Sequence, residues 1–94
     1  MEFEWDEDKR LANLEKHGID CPTASTIWER RLLDPYSQNW VGDEHRRVAL
    51  GIVLDEQGEK IIAEIYTLRQ DRMRIISARA ARCYEREDYR RSGE

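Results

Sequence analysis

Long apolar runs are missing from this 94-residue chain. No stretch approaches the roughly 20 residues that a bilayer-spanning helix needs, so a membrane protein of that kind is excluded. The amino terminus, MEFEWDEDK, is acidic and lacks an apolar segment, and no secretory signal is expected. Cysteine is scarce. Cys21 and Cys83 stand far apart, and neither they nor the two histidines share a metal-ligand or CxxC spacing. That pattern argues against a disulfide framework and a zinc site; it fits reduced thiols of a cytoplasmic protein with no cofactor. An excess of positive charge is also absent: the net charge is −4 and the pI near 5.3, whereas nucleic-acid binders usually run basic. The deficit is uneven, however. Residues 1–45 hold 5 Lys/Arg against 11 Asp/Glu, and residues 46–94 hold 11 against 9. A phosphate-binding surface is therefore expected mainly from the second half.

What is present suffices for one domain, residues 1–94, with a modest core. Glu2–Trp5 alternates as a short strand. Asp6 suits an N-cap, and a helix from there to about His17 should stop at Gly18, with Leu11, Ala12 and Leu14 as its buried stripe. A second short helix is expected from Asp20–Pro22 through Ile27 and Trp28. Asp34–Pro35 reads as the opening of a polar loop that lasts to Gly42–Asp43. Strands follow over Arg46–Leu54, with Gly51 facing a close neighbour, and Lys60–Leu68, where Glu64 needs a partner if buried. After a tight turn at Gln70–Asp71, a strand over Arg72–Ala78 passes into a last helix that carries Arg79, Arg82 and Arg86, with Ser77 as N-cap. The expected fold is α+β, ordered β-α-α-β-β-β-α, with an antiparallel twisted sheet of about four strands.

The dense group of arginines around RQDRMRIISARAA (Arg69–Ala81) is the main chemical signal. Met73, Ile75 and Ile76 require burial, so the arginines beside them stand on a rigid backbone, and a guanidinium fork grips phosphate or carboxylate oxygens in pairs. Arg82, Arg86 and Arg90 lie among acidic residues of a helix and suit structure or partner docking. Trp5, Trp28 and Tyr66 suit the core; Tyr36 and Trp40 suit stacking on bases.

These residues resemble a known family. FEWDEDKRLANLEKHG at Phe3–Gly18, EHRRVALG at Glu44–Gly51, IYTLR at Ile65–Arg69, RIISARAA at Arg74–Ala81 and ER at Glu85–Arg86 are similar to the BrnT toxins of type II toxin–antitoxin operons. The resemblance implies a RelE-like fold, ribonuclease activity that blocks translation, and a BrnA-type antitoxin partner. It also implies a toxin homodimer within a heterotetramer that meets operator DNA only through the antitoxin. Cleaving RNA with side chains alone needs a base for the 2′-OH proton, an acid for the leaving 5′-oxygen, and cations for the charge building on phosphorus. Arg69, Arg74 and Arg79 are candidates for the phosphate. Lys9 and His17 are candidates for proton transfer if the first helix packs beside the cluster; Glu44 is an alternative base with Arg46 beside it. Two further readings stay open. One is a catalytically weak toxin homologue kept for antitoxin docking and operon autoregulation, which the acidic pI favours. The other is a plain nucleic-acid binder, whose affinity would fall with salt at a log–log slope of about −0.7 per phosphate contact on single strands.

Overall fold

The computed structural model describes residues 2–93. The chain runs through β1 (Glu2–Trp5), α1 (Glu7–His17), α2 (Cys21–Ser25), a 3-10 turn (Thr26–Glu29), β2 (Leu33–Val41), β3 (Glu44–Asp55), β4 (Gly58–Arg69), β5 (Arg72–Ala80) and α3 (Cys83–Arg91). The strands form one sheet in the order β1-β5-β4-β3-β2. The α+β class and the three helices agree with expectation. The sheet, however, has five strands rather than about four, and β1 pairs parallel with β5, Glu2 beside Arg72 and Trp5 beside Ile75.

The fifth strand is the segment expected as a polar loop. β2 pairs antiparallel with β3 from Ser37 opposite Val48 to Val41 opposite Glu44, and the hairpin turns at Gly42–Asp43. Pro35 falls where the register slips, between the Leu33–Leu50 and Ser37–Val48 pairs. Proline cannot donate to a ladder, but an edge strand interrupted there loses nothing by it. Tyr36, expected to be free for stacking, is half-buried instead, and its hydroxyl donates to Asp88 Oδ2 of α3 at 2.5 Å.

The stripe expected on α1 is also corrected. Asp6 does cap the helix, accepting the Lys9 N–H at 3.0 Å, and Gly18 ends it in the left-handed conformation (φ 72°). Leu11 and Leu14, however, are 51% and 38% exposed, Ala12 is exposed, and the buried residue is Asn13. β1 pairs with β5 only as far as Ile75. Beyond that point the edge of β5 needs backbone partners more than it needs apolar cover. The Asn13 amide donates to Ala78 O and Ile19 O, both at 3.0 Å, and its Oδ1 accepts the Ala78 N–H at 3.2 Å. One side chain thus takes the place of a neighbouring strand.

The strand–helix boundary differs as well. β5 continues through Ser77 and Arg79 to Ala80, so Ser77 is not an N-cap and Arg79 is a strand residue. α3 starts after Arg82, whose backbone N–H donates to Glu85 Oε1 at 2.8 Å.

Both faces of the sheet are packed, unequally. On one, the α2 face, Ala24 and Ile27 meet Ala49, Val53, Ile62, Tyr66, Met73 and Ala78. The approach is close at Gly51, where a Cβ would stand 2.6 Å from Ile27 Cβ. Trp28 packs edge-on to Tyr66 (5.1 Å between centroids) and donates from Nε1 to Glu64 Oε1 at 3.1 Å. On the α3 face, Tyr89 packs with Leu50 and Ala63, flanked by Leu33, Tyr36, Val48, Ile52 and Ile61. α3 covers only one end of that face.

Candidate active site

The register decides which side chains share the α3 face. A shift between Ile65 and Tyr66 inserts one extra residue into β5, so Ile65 pairs with Ser77 but Tyr66 with Ile75. Met73, Ile75 and Ala78 consequently turn to the α2 face, while Arg72, Arg74, Ser77 and Arg79 turn to the α3 face opposite Arg69, Thr67, Ile65 and Ala63. Alternation from Val48 and Leu50 adds Glu44 and Arg46 of β3, and pairing adds Glu2 and Glu4 of β1. Arg46, Arg69, Arg72 and Arg74 occupy the end of this face away from α3; Arg79 stands at the covered end.

The two-residue turn Gln70–Asp71, with Gln70 left-handed at φ 57°, brings Arg69 directly opposite Arg72. Like charges facing across a ladder repel, so this pair favours any anion placed between them. Glu4 partly meets that demand: its carboxylate lies 3.5 Å from Arg74 Nη1 and 3.7 Å from Arg72 Nη1, and Glu2 lies 3.2 Å from Arg72 Nε. Arg69 makes no ion pair among the described residues. Glu4, Arg69, Gln70, Arg72 and Arg74 together line a cleft of about 280 Å³.

Glu44 accepts from Arg46 Nε at 2.7 Å. That hydrogen bond holds its carboxyl below the usual carboxylate range against partial desolvation, and the charges of Arg46, Lys9 and Arg69 add to the effect. Glu44 is thus ionised at neutral pH and surrounded by cations. Lys9 is exposed in the first turn of α1 and contributes its charge to this group. His17, half-buried at the other end of the same helix, shares no hydrogen bond or cleft with the arginines among the described residues.

Arg79 has a different environment. Its Nη1 and Nη2 donate to Glu85 Oε1 and Oε2 at 2.7 and 3.0 Å, a bidentate pair in which the Glu85 side chain is 3% exposed. Desolvation pushes the Glu85 carboxyl up, but the hydrogen bonds from Arg79 and the Arg82 backbone outweigh it and its pKa lies below the ordinary value. Arg86 donates to Ala81 O at 2.6 Å. Arg79 thus fastens α3 to β5, and Arg86 fastens it to the residue that follows the strand.

Reading the residues alone placed Arg72 in the arginine cluster without naming it as a site candidate, and missed Glu4 and His45. His45 lies across the ladder from Trp40, the two rings stacked at 4.8 Å and 16°. Trp40 falls within the segment read as a loop; read as a strand antiparallel to Glu44–Gly51, it would have fallen opposite His45. Of the thiols, Cys21 is buried, its pKa pushed up to about 11 by that burial, and Cys83 is exposed. Among the described residues, no group of three or more His, Cys, Asp or Glu side chains is arranged to hold a metal ion, and no helix is long and apolar enough to cross a membrane.

A family model described as "Ribonuclease toxin, BrnT, of type II toxin-antitoxin system" matches residues 5–85. The chain belongs to the BrnT family. The matched span starts at the last residue of β1 and ends at Glu85, so it takes in the Glu44–Arg46 pair, Arg69, Arg72, Arg74 and the Arg79–Glu85 clasp. The family is one of ribonuclease toxins of type II toxin–antitoxin systems. No curated protein matches the chain closely enough to add to this.

Proposed function

We propose that this protein cuts RNA at the open end of the α3 face, and that this cutting blocks translation. The observation that carries the reading is the guanidinium of Arg69, without an ion pair among the described residues and facing Arg72, with ionised Glu44 and the charge of Lys9 close by, in a BrnT family member. In the reaction, Glu44 takes the proton of a ribose 2′-OH, and the freed oxygen attacks the adjacent phosphorus. The bond to the 5′-oxygen breaks, a 2′,3′-cyclic phosphate forms, and the leaving oxygen takes a proton from Lys9. Arg69, Arg72 and Arg74 hold the phosphate and offset its growing charge. Arg46 orients Glu44, Arg79 supports the strand through Glu85, and His17 stands outside the reaction.

The reaction so written uses side chains only and proceeds without a metal. A BrnA-type antitoxin that covers the arginines would neutralise it; the toxin homodimer, the heterotetramer and the indirect contact with operator DNA belong to the same proposal, as do the RelE-like fold and a cytoplasmic setting. The test is incubation of purified protein with RNA in EDTA, together with induced expression of the chain alone. Cleavage and growth arrest are expected, and intact RNA under both conditions would sink the reading.

A second reading is favoured by one observation: Arg46, Arg72, Arg74 and Arg79 are all paired with carboxylates of their own chain. A phosphate must displace Glu4 to reach Arg74. A catalytically weak toxin that docks its antitoxin and serves autoregulation would show that pattern, and it would bind the antitoxin while leaving RNA uncut.

A further inference from the structure

Trp40 is 66% exposed on the edge strand β2, beside exposed Val41. A tryptophan so exposed contributes little to folding, yet its plane is held by the stack on His45. The backbone beneath His45 is tied to β4, because its carbonyl accepts the Thr67 hydroxyl at 2.7 Å. Trp40, His45, Asp43, Glu44, Leu68 and Arg69 line a cleft of about 410 Å³ that wraps the hairpin end of the sheet: Trp40, His45 and Leu68 turn to the α2 face, and Glu44 and Arg69 to the α3 face. Arg69 also lines the neighbouring arginine cleft. The two clefts differ in charge: one is dominated by guanidiniums, and the other adds two carboxylates and an aromatic platform. Carboxylates repel a phosphate but accept hydrogen bonds from the amino and imino groups of a base. Indole and imidazole rings offer flat faces on which an unpaired base stacks.

We propose that the cleft of Trp40, His45 and Asp43 is a nucleobase subsite, which takes the base next to the phosphate held at Arg69. Asp43 is the reading group. Its two oxygens match the adjacent N1–H and N2–H2 donors of guanine, whereas uracil offers no amino group and one imino donor. The subsite thus sets a preference for guanine over uracil beside the cut. The inference rests on the ribonuclease reading, and its test separates the two.

Single-stranded RNA oligonucleotides that carry G or U at one position next to a single cut site are the substrates. The wild-type protein cuts the G substrate faster; Trp40→Ala lowers kcat/KM on it by about tenfold, Trp40→Phe retains most of it, and Asp43→Asn levels the G and U rates. Equal rates and cut sites for wild type and Trp40→Ala would overturn the subsite and leave the ribonuclease reading standing. Guanosine 5′-monophosphate supplies a second measurement that needs no cleavage. It should quench tryptophan fluorescence more than uridine 5′-monophosphate does, and the difference should vanish in Trp40→Ala. If no RNA is cut but the quench is seen, the catalytic reading fails and the subsite survives; no quench by either nucleotide overturns it.

Discussion

The two ends of the α3 face carry the same residue type in opposite circumstances. At the covered end, Arg79 forms a two-pronged bond with a carboxylate that is almost fully buried. At the open end, Arg69 has no carboxylate partner among the described residues and faces another arginine. Partner and water access, rather than residue type, separate a structural cation from one available to a ligand. A buried charge is tolerated only when paired and hydrogen-bonded, whereas an exposed one keeps its solvation until an anion replaces it.

The largest expected effect breaks the covered end. Glu85→Ala leaves Arg79 without its partner and the Arg82 N–H without its acceptor, and should cost about 3 kcal/mol in a urea titration. A change under about 0.5 kcal/mol would mean that the clasp is ornamental. Next is the open end. Arg69→Ala should lower RNA cleavage about 100-fold while the urea midpoint stays near that of the wild type. Loss of stability in place of activity would reverse the roles assigned to the two ends.

Glu64 sharpens the comparison from the other face, because it is a buried carboxylate with no cation. It accepts from Trp28 at Oε1, and Oε2 has no hydrogen-bond partner among the described residues. Burial first of all pushes its pKa up to about 8, with Asp34 adding to the shift and Trp28 opposing it. An acid whose pKa is higher in the folded than in the unfolded chain holds its proton longer when folded. Its contribution is therefore whole below about pH 4.5 and is lost as pH rises toward about 8. Glu64→Gln should flatten that decline and raise stability at pH 8 by about 2 kcal/mol. Parallel stability–pH curves for the two proteins would contradict it. The smallest effect concerns shielding: Glu4→Gln frees Arg74, leaves Arg72 with Glu2 alone, and should tighten RNA binding about threefold at low salt, with a steeper salt slope. Weaker binding would mean that Glu4 orients these arginines rather than competing for them.

Much of the fold was legible in the residues. Asp6 and Gly18 bounded α1, Gly51 marked the close approach of Ile27, and the β3–β4–β5 meander followed from alternation and its turns. The misreadings share one cause, which is that local pattern does not report what lies alongside. Asp34–Pro35 has loop chemistry, yet β3 offers that segment a ladder, and an edge strand accepts proline. Leu11 and Leu14 have core chemistry, yet the free edge of β5 recruited Asn13. The candidate site was legible in part: Glu44, Arg46, Arg69 and Arg74 share one face, and Lys9 adds its charge to Glu44, but His17 stands apart and Arg79 is engaged by Glu85.

By itself the sequence determined the α+β class, the placement of most helices and strands, the concentration of arginine in the second half and the family. These depend on neighbours along the chain, through caps, alternation and turn residues, or on blocks of sequence. Tertiary structure alone decided which arginines are free and which are clasped, and that Trp40 lies on His45. Those outcomes depend on strand register, and one extra residue in β5 is enough to turn a row of side chains from one face to the other.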